Sequence, residues 1–295
     1  MTWQFTLTGL LIGVLVGMTG MGGGSLMTPI LILLFGFKPT VAVGTDILHG
    51  AIFKTFGAAR HRMLNTVHVR LAGWMFVGSA PFSLLGVTLA TWIERHYGKG
   101  AETAEGRAIG VALVLGGTGF LIKTFMRPPE PRTEFFVMTR HDKVTALVIG
   151  VFCGFVVGLT SVGSGTFFGL MMLLLFPLAT VQIVGTDILQ AAALLWVAGF
   201  GHLVAGNVNL HATAWLLLGS IPGVLVGSHL SVRLPDRLLR VALSATLSLS
   251  GVKLLELPHG DAIVVAGLGL WIAALSFWGV RWHRGRRLVP LGAAD

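Results

Sequence analysis

Residues 17–25 read GMTGMGGGS, five glycines in nine positions. This glycine-rich stretch lies inside an apolar run that extends from Leu7 to Phe37. Each glycine in a helix interior costs about 1 kcal/mol relative to alanine, so five of them predict a break in the helix. The sequence therefore predicts two short helices joined at the glycines rather than one continuous helix.

The stretch occurs a second time. Residues 158–166 read GLTSVGSGT and correspond to residues 17–25 with an offset of 141 residues. The same offset relates the pentapeptide at residues 44–48, GTDIL, to an identical pentapeptide at residues 185–189. It also relates the Gly-Ser-x-Pro segments at residues 78–81 and 219–222. The chain is therefore an internal duplication, with a break at the same point in both copies.

The composition is typical of a membrane protein. Of 295 residues, 54% are hydrophobic and 11% are charged, and the mean hydropathy is +0.83, whereas a soluble domain has about 25% charged residues. The apolar runs are continuous rather than alternating, which favours helices over a membrane β-barrel. We therefore expect an all-α integral membrane protein. Because the basic residues behind the net charge of +9 lie in short loops and the C-terminal tail, nucleic-acid binding is not expected.

No motif of an enzyme or of a bound cofactor is found. The single cysteine, Cys153, excludes an internal disulfide and a thiolate metal cluster. The histidines do not have metal-ligand spacing, and His202 and His211 are expected to lie at the membrane interface. The glycine-rich stretch has neither the lysine nor the strand of a phosphate-binding loop. We expect no enzymatic activity, no metal and no cofactor.

The duplication divides the chain into five parts. Residues 1–126 form membrane repeat 1, residues 127–143 a polar connector, and residues 144–256 membrane repeat 2. Residues 257–281 form an additional C-terminal transmembrane helix without a counterpart in repeat 1, and residues 282–295 form a basic tail.

Loop charges predict that the two repeats have opposite orientations in the membrane. Arginines cluster at residues 60–70 of repeat 1 and at residues 233–240 of repeat 2, but these two segments are not equivalent under the offset. Cytoplasmic loops are enriched in Lys and Arg, so opposite bias implies inverted topology with a cytoplasmic C-terminus. Inversion requires an odd number of crossings per repeat, which results if each glycine-broken run is a hairpin that enters and leaves on one side. Inverted repeats with interrupted helices are typical of transporters.

The glycine hairpins are the candidate binding site. The second half-helix of each hairpin begins at the break, and a helix N-terminus presents free amides and partial positive charge to an anion. Alternatively, the glycines serve helix packing, and Ser25 and Thr166 are simple helix caps. The candidate substrate-binding residues are Thr19, Gly22, Gly23, Gly24 and Ser25 in the first copy, and Thr160, Gly163, Ser164, Gly165 and Thr166 in the second.

Asp46 and Asp187 are the candidate coupling or gating residues, together with His49 and Lys54. An isolated carboxylate within the membrane costs a few kcal/mol, so each aspartate is a candidate proton carrier or a partner for the facing hairpin. The alternative is that both are N-terminal helix residues stabilised by the helix dipole. Lys54 either neutralises Asp46 or a bound anion, or extends towards Arg60 at the membrane surface.

The repeated hairpin and the Val-Gly-Thr-Asp sequence that follows it, at residues 43–46, resemble the sulfite exporter TauE/SafE family of membrane transporters. The resemblance covers residues 2 to about 255 and implies a multi-pass carrier of the bacterial inner membrane. It implies transport of small oxyanions or organosulfur anions such as sulfite or sulfoacetate, with protons as the coupling ion and with homo-oligomers as a possible assembly. This chain has Ser164 and Thr166 at positions where the first copy has Gly23 and Ser25, so a strictly symmetric site is not expected.

Two other functions remain open on the sequence. One is a non-transporting membrane assembly or signalling protein whose buried aspartates only pack its helices. The other is a cation carrier that uses Asp46 and Asp187 directly as ligands. A cation site usually requires more acidic residues than two, and the basic surplus fits anions better.

Overall fold

The computed structural model describes residues 2–19, 24–126, 136–230, 236–267 and 269. Within these residues the chain forms ten helices and no strand, which confirms the expected all-α class. Residues 260–267 are also helical, but the rest of the predicted C-terminal helix 257–281, the tail 282–295 and residues 20–23 lie outside the described residues. The helices are α1 (Thr2–Thr19), α2 (Gly24–Leu33), α3 (Pro39–Met63), α4 (Val69–Tyr97), α5 (Lys99–Phe125), α6 (Arg140–Thr160), α7 (Phe167–Leu175), α8 (Thr180–Ala205), α9 (Leu210–Leu230) and α10 (Asp236–Leu254).

Five of these helices, α4, α5, α6, α8 and α9, are long and apolar enough to cross a membrane. Helix α3 has 25 residues but carries Asp46, Lys54 and Arg60, which lower its hydropathy. Helices α2 and α7 have 10 and 9 residues. At 1.5 Å per residue, each covers about half of a hydrocarbon core of about 30 Å. The protein is therefore a multi-pass membrane protein that also contains two half-length helices.

Two helices begin earlier than the hydrophobic pattern predicts. Helix α5 begins at Lys99, although the apolar run begins only at Ala108. Helix α6 begins at Arg140, inside the predicted connector 127–143, because Thr139 and Asp142 form a capping box. The Thr139 side chain accepts from the Asp142 amide at 3.2 Å, and the Asp142 carboxylate accepts from the Thr139 amide at 2.8 Å. The connector therefore ends at Thr139.

The helices pair across the boundary between the two sequence repeats. Helix α1 packs on α9, α4 on α6, α3 on α8, and α5 on α10. Under the offset of 141, α1 is equivalent to α6 and α4 is equivalent to α9, so the α1–α9 and α6–α4 pairs correspond to each other. Helix α3 is equivalent to α8, and α5 overlaps α10, so each of these two pairs joins equivalent helices. The packing of the helices thus follows the internal repeat of the sequence.

Glycines bring the backbones of these pairs into direct contact. A Cβ added to Gly9 in α1 would lie 2.2 Å from the Leu216 carbonyl oxygen in α9. A Cβ added to the equivalent Gly150 in α6 would lie 2.3 Å from the Met75 carbonyl oxygen in α4. Small residues at such crossings let membrane helices approach closely, since burial of apolar surface drives little association between helices in lipid. The glycines of α1, α4, α6 and α9 therefore serve helix packing.

We predict that Gly219→Ala destabilises the protein, because the added Cβ would lie 1.9 Å from the Thr6 carbonyl oxygen. Overpacking of this kind costs about 1–3 kcal/mol. The matched control is Gly73→Ala in α4, where the added Cβ meets nothing within 4 Å. Thermal unfolding of both purified variants in detergent measures the difference. Equal midpoints for the two variants would contradict the close packing of α1 on α9.

Helices α3 and α8 are antiparallel neighbours at the centre of the fold. Gly44 lies against Asn207, Gly50 against Leu195 and Gly57 against Ile188, so the partner number falls as the α3 number rises. The turn at residues 64–68 is therefore at one end of α3, and the turn at residues 206–209 is at the other. The larger apolar core surrounds this pair and includes the fully buried Phe168 and Cys153.

Candidate functional site

The chain leaves the helical conformation between α6 and α7, at residues 161–166. Ser161, Gly163 and Gly165 have positive φ angles of 61°, 134° and 96°. Only glycine adopts such angles without strain, and Ser161 occupies the left-handed cap position at the end of α6. Ser161 and Ser164 are both 1% exposed, so this loop is buried inside the protein. We call residues 161–166 the α6–α7 loop.

Asp46 joins two elements of the first repeat to the α6–α7 loop. Its Oδ2 accepts hydrogen bonds from Thr28 Oγ1 at 2.6 Å and from Ser161 Oγ at 2.9 Å. The residue is 1% exposed, and its Oδ1 has no hydrogen-bond partner among the described residues. A buried carboxylate oxygen without a donor is costly, so this oxygen is a candidate position for a proton.

Lys54 reaches the same loop from the middle of α3. Its Nζ donates to Ser164 Oγ at 2.8 Å, and it lies 3.5 Å from the Ser164 carbonyl oxygen. The ammonium interacts electrostatically with both Asp187 and Asp46. Lys54 is 3% exposed, so the alternative that it extends towards Arg60 is wrong. The paired carboxylates and the serine oxygens retain the ammonium inside the protein.

Asp187 faces the loop from α8. Its carboxylate interacts with the Gly165 amide and with the ammonium groups of Lys54 and Lys123, and Asp187 Oδ1 has no hydrogen-bond partner in the described part of the chain. Asp46 and Asp187 lie in the third turn of their helices, and the first turn of each helix contains no acidic residue. The alternative that they are N-terminal helix residues is therefore wrong, since the stabilising effect of a helix terminus falls off within the first turn.

The other candidate binding residues of the second copy divide into two groups. The buried Thr166 Oγ1 has no hydrogen-bond partner among the described residues and is free to donate. Thr160 Oγ1 instead donates to the Val156 carbonyl oxygen of its own helix at 2.7 Å. A Cβ on Gly163 would lie 3.1 Å from the side chains of Phe167 and Val157. The structure thus brings Ser164 and Gly165 to the buried charges, and Thr160 and Gly163 make local contacts.

The first-copy candidates are only partly described. Gly22 and Gly23 lie outside the described residues. Gly24 is the first residue of α2. Thr19 ends α1 and Ser25 belongs to α2, but the positions of their side chains are not described. The candidate site therefore rests on the second copy of the glycine-rich stretch.

His49 lies apart from the α6–α7 loop. Its Nε2 is 2.9 Å from Ser220 Oγ in α9, and its ring stacks on Phe53. The equivalent residue of the second repeat, Gln190, donates from Nε2 to Ser79 Oγ in α4 at 3.0 Å. The pair of contacts is related by the offset of 141, so the geometry of His49 is that of a helix–helix contact.

Two threonines have a role that sequence reasoning missed. Thr45 Oγ1 accepts from the Asn209 amide at 3.0 Å, and Thr186 Oγ1 accepts from the His68 amide at 2.9 Å. Each threonine thus binds the backbone just before the third long helix of the opposite repeat. The identical Gly-Thr-Asp sequences at residues 44–46 and 185–187 were the available signal.

Other buried polar groups were also missed or misplaced. His202 is 0% exposed, with Nε2 3.0 Å from the Gly158 carbonyl oxygen, so the prediction that it lies at the interface is wrong. Its buried position follows from the packing of α8 on α3, where a Cβ added to Gly44 would lie 3.0 Å from His202 Cβ. Glu105, which the sequence placed in a loop, is a buried residue of α5 and accepts a hydrogen bond from Thr40 Oγ1. Among the described residues, no group of three or more His, Cys, Asp or Glu side chains has the arrangement of a metal site.

Comparison with known proteins places this arrangement in a family. A protein-family model described as sulfite exporter TauE/SafE matches residues 5–254. The chain belongs to the TauE/SafE family. The match includes both glycine-rich stretches, both Gly-Thr-Asp sequences and all ten helices except the first three residues of α1.

Three similar proteins come from Bacillus subtilis (strain 168). The probable membrane transporter protein YjnA is 38% identical over 256 residues, which are 86% of this chain and all of YjnA. The probable membrane transporter protein YdhB is 24% identical over 83% of this chain and 96% of its own length. For the probable membrane transporter protein YunE the identity is 23%, over 75% of this chain and 84% of its own length. No solved structure matches this TauE/SafE protein significantly.

Proposed function

We propose that this TauE/SafE protein is a proton-coupled secondary transporter of small anions in the bacterial inner membrane. Its substrates are oxyanions or organosulfur anions of the sulfite and sulfoacetate class. The observation that carries the proposal is the α6–α7 loop, which is buried in the protein and contacts Asp46 through Ser161, Lys54 through Ser164 and Asp187 through Gly165.

The loop has the donors that a small anion requires. Thr166 and Gly165 immediately precede α7, a nine-residue helix. The start of a helix presents amides that the helix itself leaves unpaired, and of these the Phe168 amide donates to the Gly163 carbonyl oxygen at 3.3 Å. The Thr166 hydroxyl is buried without a partner in the described residues, and Lys54 supplies a fixed positive charge beside Ser164. In a water-excluded site, such donors bind an oxyanion far more strongly than they would in water.

The balance of buried charges supports proton coupling. Lys54 interacts with both Asp46 and Asp187, and Lys123 interacts with Asp187. The two carboxylates and the two ammonium groups therefore compensate one another before an anion binds. An arriving anion adds a negative charge that the membrane interior does not tolerate uncompensated. Protonation of one carboxylate restores the balance, and the unpartnered Oδ1 atoms of both aspartates can hold that proton. Anion and proton would then move together.

We also propose that the two membrane repeats, residues 1–126 and 144–256, have inverted orientations. The antiparallel contact of α3 with α8 supports inversion, since these helices are equivalent under the offset. In this arrangement α1–α2 and α6–α7 are hairpins that enter from opposite faces. The C-terminal tail is then cytoplasmic, on the same side as the arginines of residues 60–70.

Labelling of single cysteines tests the orientation. The background is Cys153→Ala, which removes the buried native cysteine. We expect His211→Cys to react with a membrane-impermeant maleimide in intact spheroplasts, and Leu64→Cys to react only after permeabilisation. Leu64 and His211 are both exposed and lie at opposite ends of the α3–α8 pair. Labelling of both from the same side would contradict the inverted arrangement.

A cation carrier is the second candidate function. It is favoured by two buried carboxylates that each have an unpartnered oxygen, which is the type of ligand that hard cations prefer. Lys54 and Lys123 oppose it, because their ammonium groups already compensate the carboxylates and repel a further cation.

Equilibrium binding to the purified protein in detergent separates these functions. The panel contains sulfite, sulfate and sulfoacetate as sodium salts, with sodium and potassium chloride as controls, and the readout is isothermal titration calorimetry. We expect saturable binding of at least one sulfur oxyanion and no binding of the cations alone. Binding of sodium or potassium without an oxyanion would support the cation carrier, and no binding of any panel member would contradict both functions.

A further inference from the structure

We propose that Lys123 is a second cationic ligand of the transported anion and forms the end of the binding site that faces the α5 C-terminus. This inference rests on the proposed anion transport and adds a residue that the duplicated motifs do not contain. Lys123 lies in the last turn of α5, outside both glycine-rich stretches and both Gly-Thr-Asp sequences.

The position of the Lys123 ammonium is fixed by a glycine of α7. A Cβ added to Gly169 would lie 2.7 Å from Lys123 Nζ and 3.5 Å from Asp187 Oδ2. The ammonium and the carboxylate therefore both lie beside Gly169 in the first turn of α7, three residues after the α6–α7 loop ends. A side chain at position 169 would occupy the space that the ammonium needs.

The two repeats differ at this point. Under the offset of 141, Gly169 is equivalent to Thr28, whose hydroxyl donates to Asp46 Oδ2 at 2.6 Å. In the second repeat the side chain is absent, and Lys123 from the other repeat brings an ammonium to Asp187 instead. Asp46 thus has two hydroxyl donors and the charge of one lysine, Lys54, whereas Asp187 has the charges of two lysines, Lys54 and Lys123. The two ends of the site are chemically different, and the end at Asp187 is the one that attracts an anion.

The Lys123 ammonium and the Asp187 carboxylate both have unused hydrogen-bonding capacity. Lys123 Nζ donates no hydrogen bond to any of the described residues, although an ammonium has three donors. Asp187 Oδ1 is buried and has no hydrogen-bond partner in the same part of the chain. An oxyanion beside the ammonium would accept from it. The remaining acceptor is Asp187 Oδ1. A hydroxyl of a protonated anion would donate to it, or the carboxyl group of Asp187 would itself carry the proton there.

Lys123 lies in the last turn of α5, whereas Lys54 lies in the middle of α3. Lys123 is partly exposed, in contrast to Lys54, and Arg240 near the start of α10 adds a positive field to its surroundings. An anion that moves between the α5 C-terminus and the centre of the protein would meet Lys123 first and Lys54 second. Two cations in sequence allow transfer of the anion without an uncompensated intermediate position.

The test is sulfite binding to the purified protein, measured by calorimetry for wild type, Lys123→Met and Gly169→Thr. Because Lys123→Met removes a ligand and Gly169→Thr displaces the ammonium, we expect each change to raise the Kd at least tenfold. The matched control is Lys143→Met. Lys143 lies at the start of α6, outside the site, and its ammonium contacts the ring of Trp74 in α4. Its Kd should stay within twofold of wild type.

The outcomes separate this inference from the proposed function. If wild type binds no sulfur oxyanion, the proposed function fails. If wild type binds sulfite and Lys123→Met binds it equally well, Lys123 is not a ligand. If Lys123→Met does not fold, the charge-balanced variant Lys123→Met/Asp187→Asn decides the question. A wild-type Kd in that double variant means that Lys123 only compensates Asp187, whereas a raised Kd supports the ligand role.

Discussion

Lys54→Met will abolish anion transport. Lys54 Nζ is buried, donates to Ser164 Oγ at 2.8 Å and interacts with both aspartates. No other described side chain makes this set of contacts. Truncation of one partner in a buried, hydrogen-bonded charge set costs about 2–5 kcal/mol, which corresponds to a loss of affinity of about 30-fold or more. Because an anion must also be bound during each crossing, we expect flux to fall to the level of protein-free vesicles.

A double variant separates ligand loss from structural damage. Lys54→Met leaves Asp46 and Asp187 without their shared cation, so the single variant is expected to lose stability as well. Lys54→Met/Asp187→Asn restores the charge balance, and its thermal midpoint should recover towards that of wild type. Sulfite flux should remain absent in this variant. Recovery of flux together with stability would show that Lys54 only compensates Asp187, and would contradict its role in anion binding.

Asp46→Asn will retain anion binding but remove the response of transport to a pH gradient. The amide oxygen of asparagine can accept the hydrogen bonds of Thr28 and Ser161, so the local packing is conserved. The amide cannot take up a proton. The charged group that acts on Asp46 is Lys54, and it does not replace a proton carrier at Asp46 Oδ1. We expect the variant to bind sulfite with an affinity within about threefold of wild type, a free-energy difference of less than about 0.7 kcal/mol.

The measurement is sulfite flux into proteoliposomes with and without an imposed pH gradient. The matched control is Asp142→Asn, which makes the same substitution in the exposed capping box at the start of α6. Asp142→Asn should respond to the gradient as wild type does. If Asp46→Asn and Asp187→Asn both keep the wild-type response, the two carboxylates are structural and the proton-coupling proposal is wrong.

The duplication made most of the fold predictable. Each apolar run between polar segments became a helix, because a membrane-embedded backbone must satisfy its hydrogen bonds within the segment. The offset of 141 also identified the Gly-Thr-Asp sequences before their contacts were known. Helix ends were less predictable. The start of α6 depends on a capping box between Thr139 and Asp142, in a segment whose composition is typical of a loop.

The candidate site was predicted from the repeated aspartates and from Lys54, which follows Asp46 by eight residues in the same apolar run, whereas Lys123 was missed. Asp46 and Asp187 stand out because they are repeated, and both face the α6–α7 loop. Lys54 and Lys123 are not repeated, since the equivalent positions hold Leu195 and Val264. The contact of Lys123 with Asp187 depends on the packing of α5 against α7, which residue spacing along the chain does not encode. The asymmetry of the site is therefore a property of the tertiary structure.

The most direct test of anion transport through this site is uptake of radiolabelled sulfite by proteoliposomes. We predict that wild type gives saturable uptake that increases when the outside is made more acidic than the inside, because the anion and the proton enter together. Lys54→Met, reconstituted at the same density, should give the uptake of protein-free vesicles. Wild-type uptake indistinguishable from that of protein-free vesicles for sulfite, sulfate and sulfoacetate would contradict the account, and so would equal uptake by wild type and Lys54→Met.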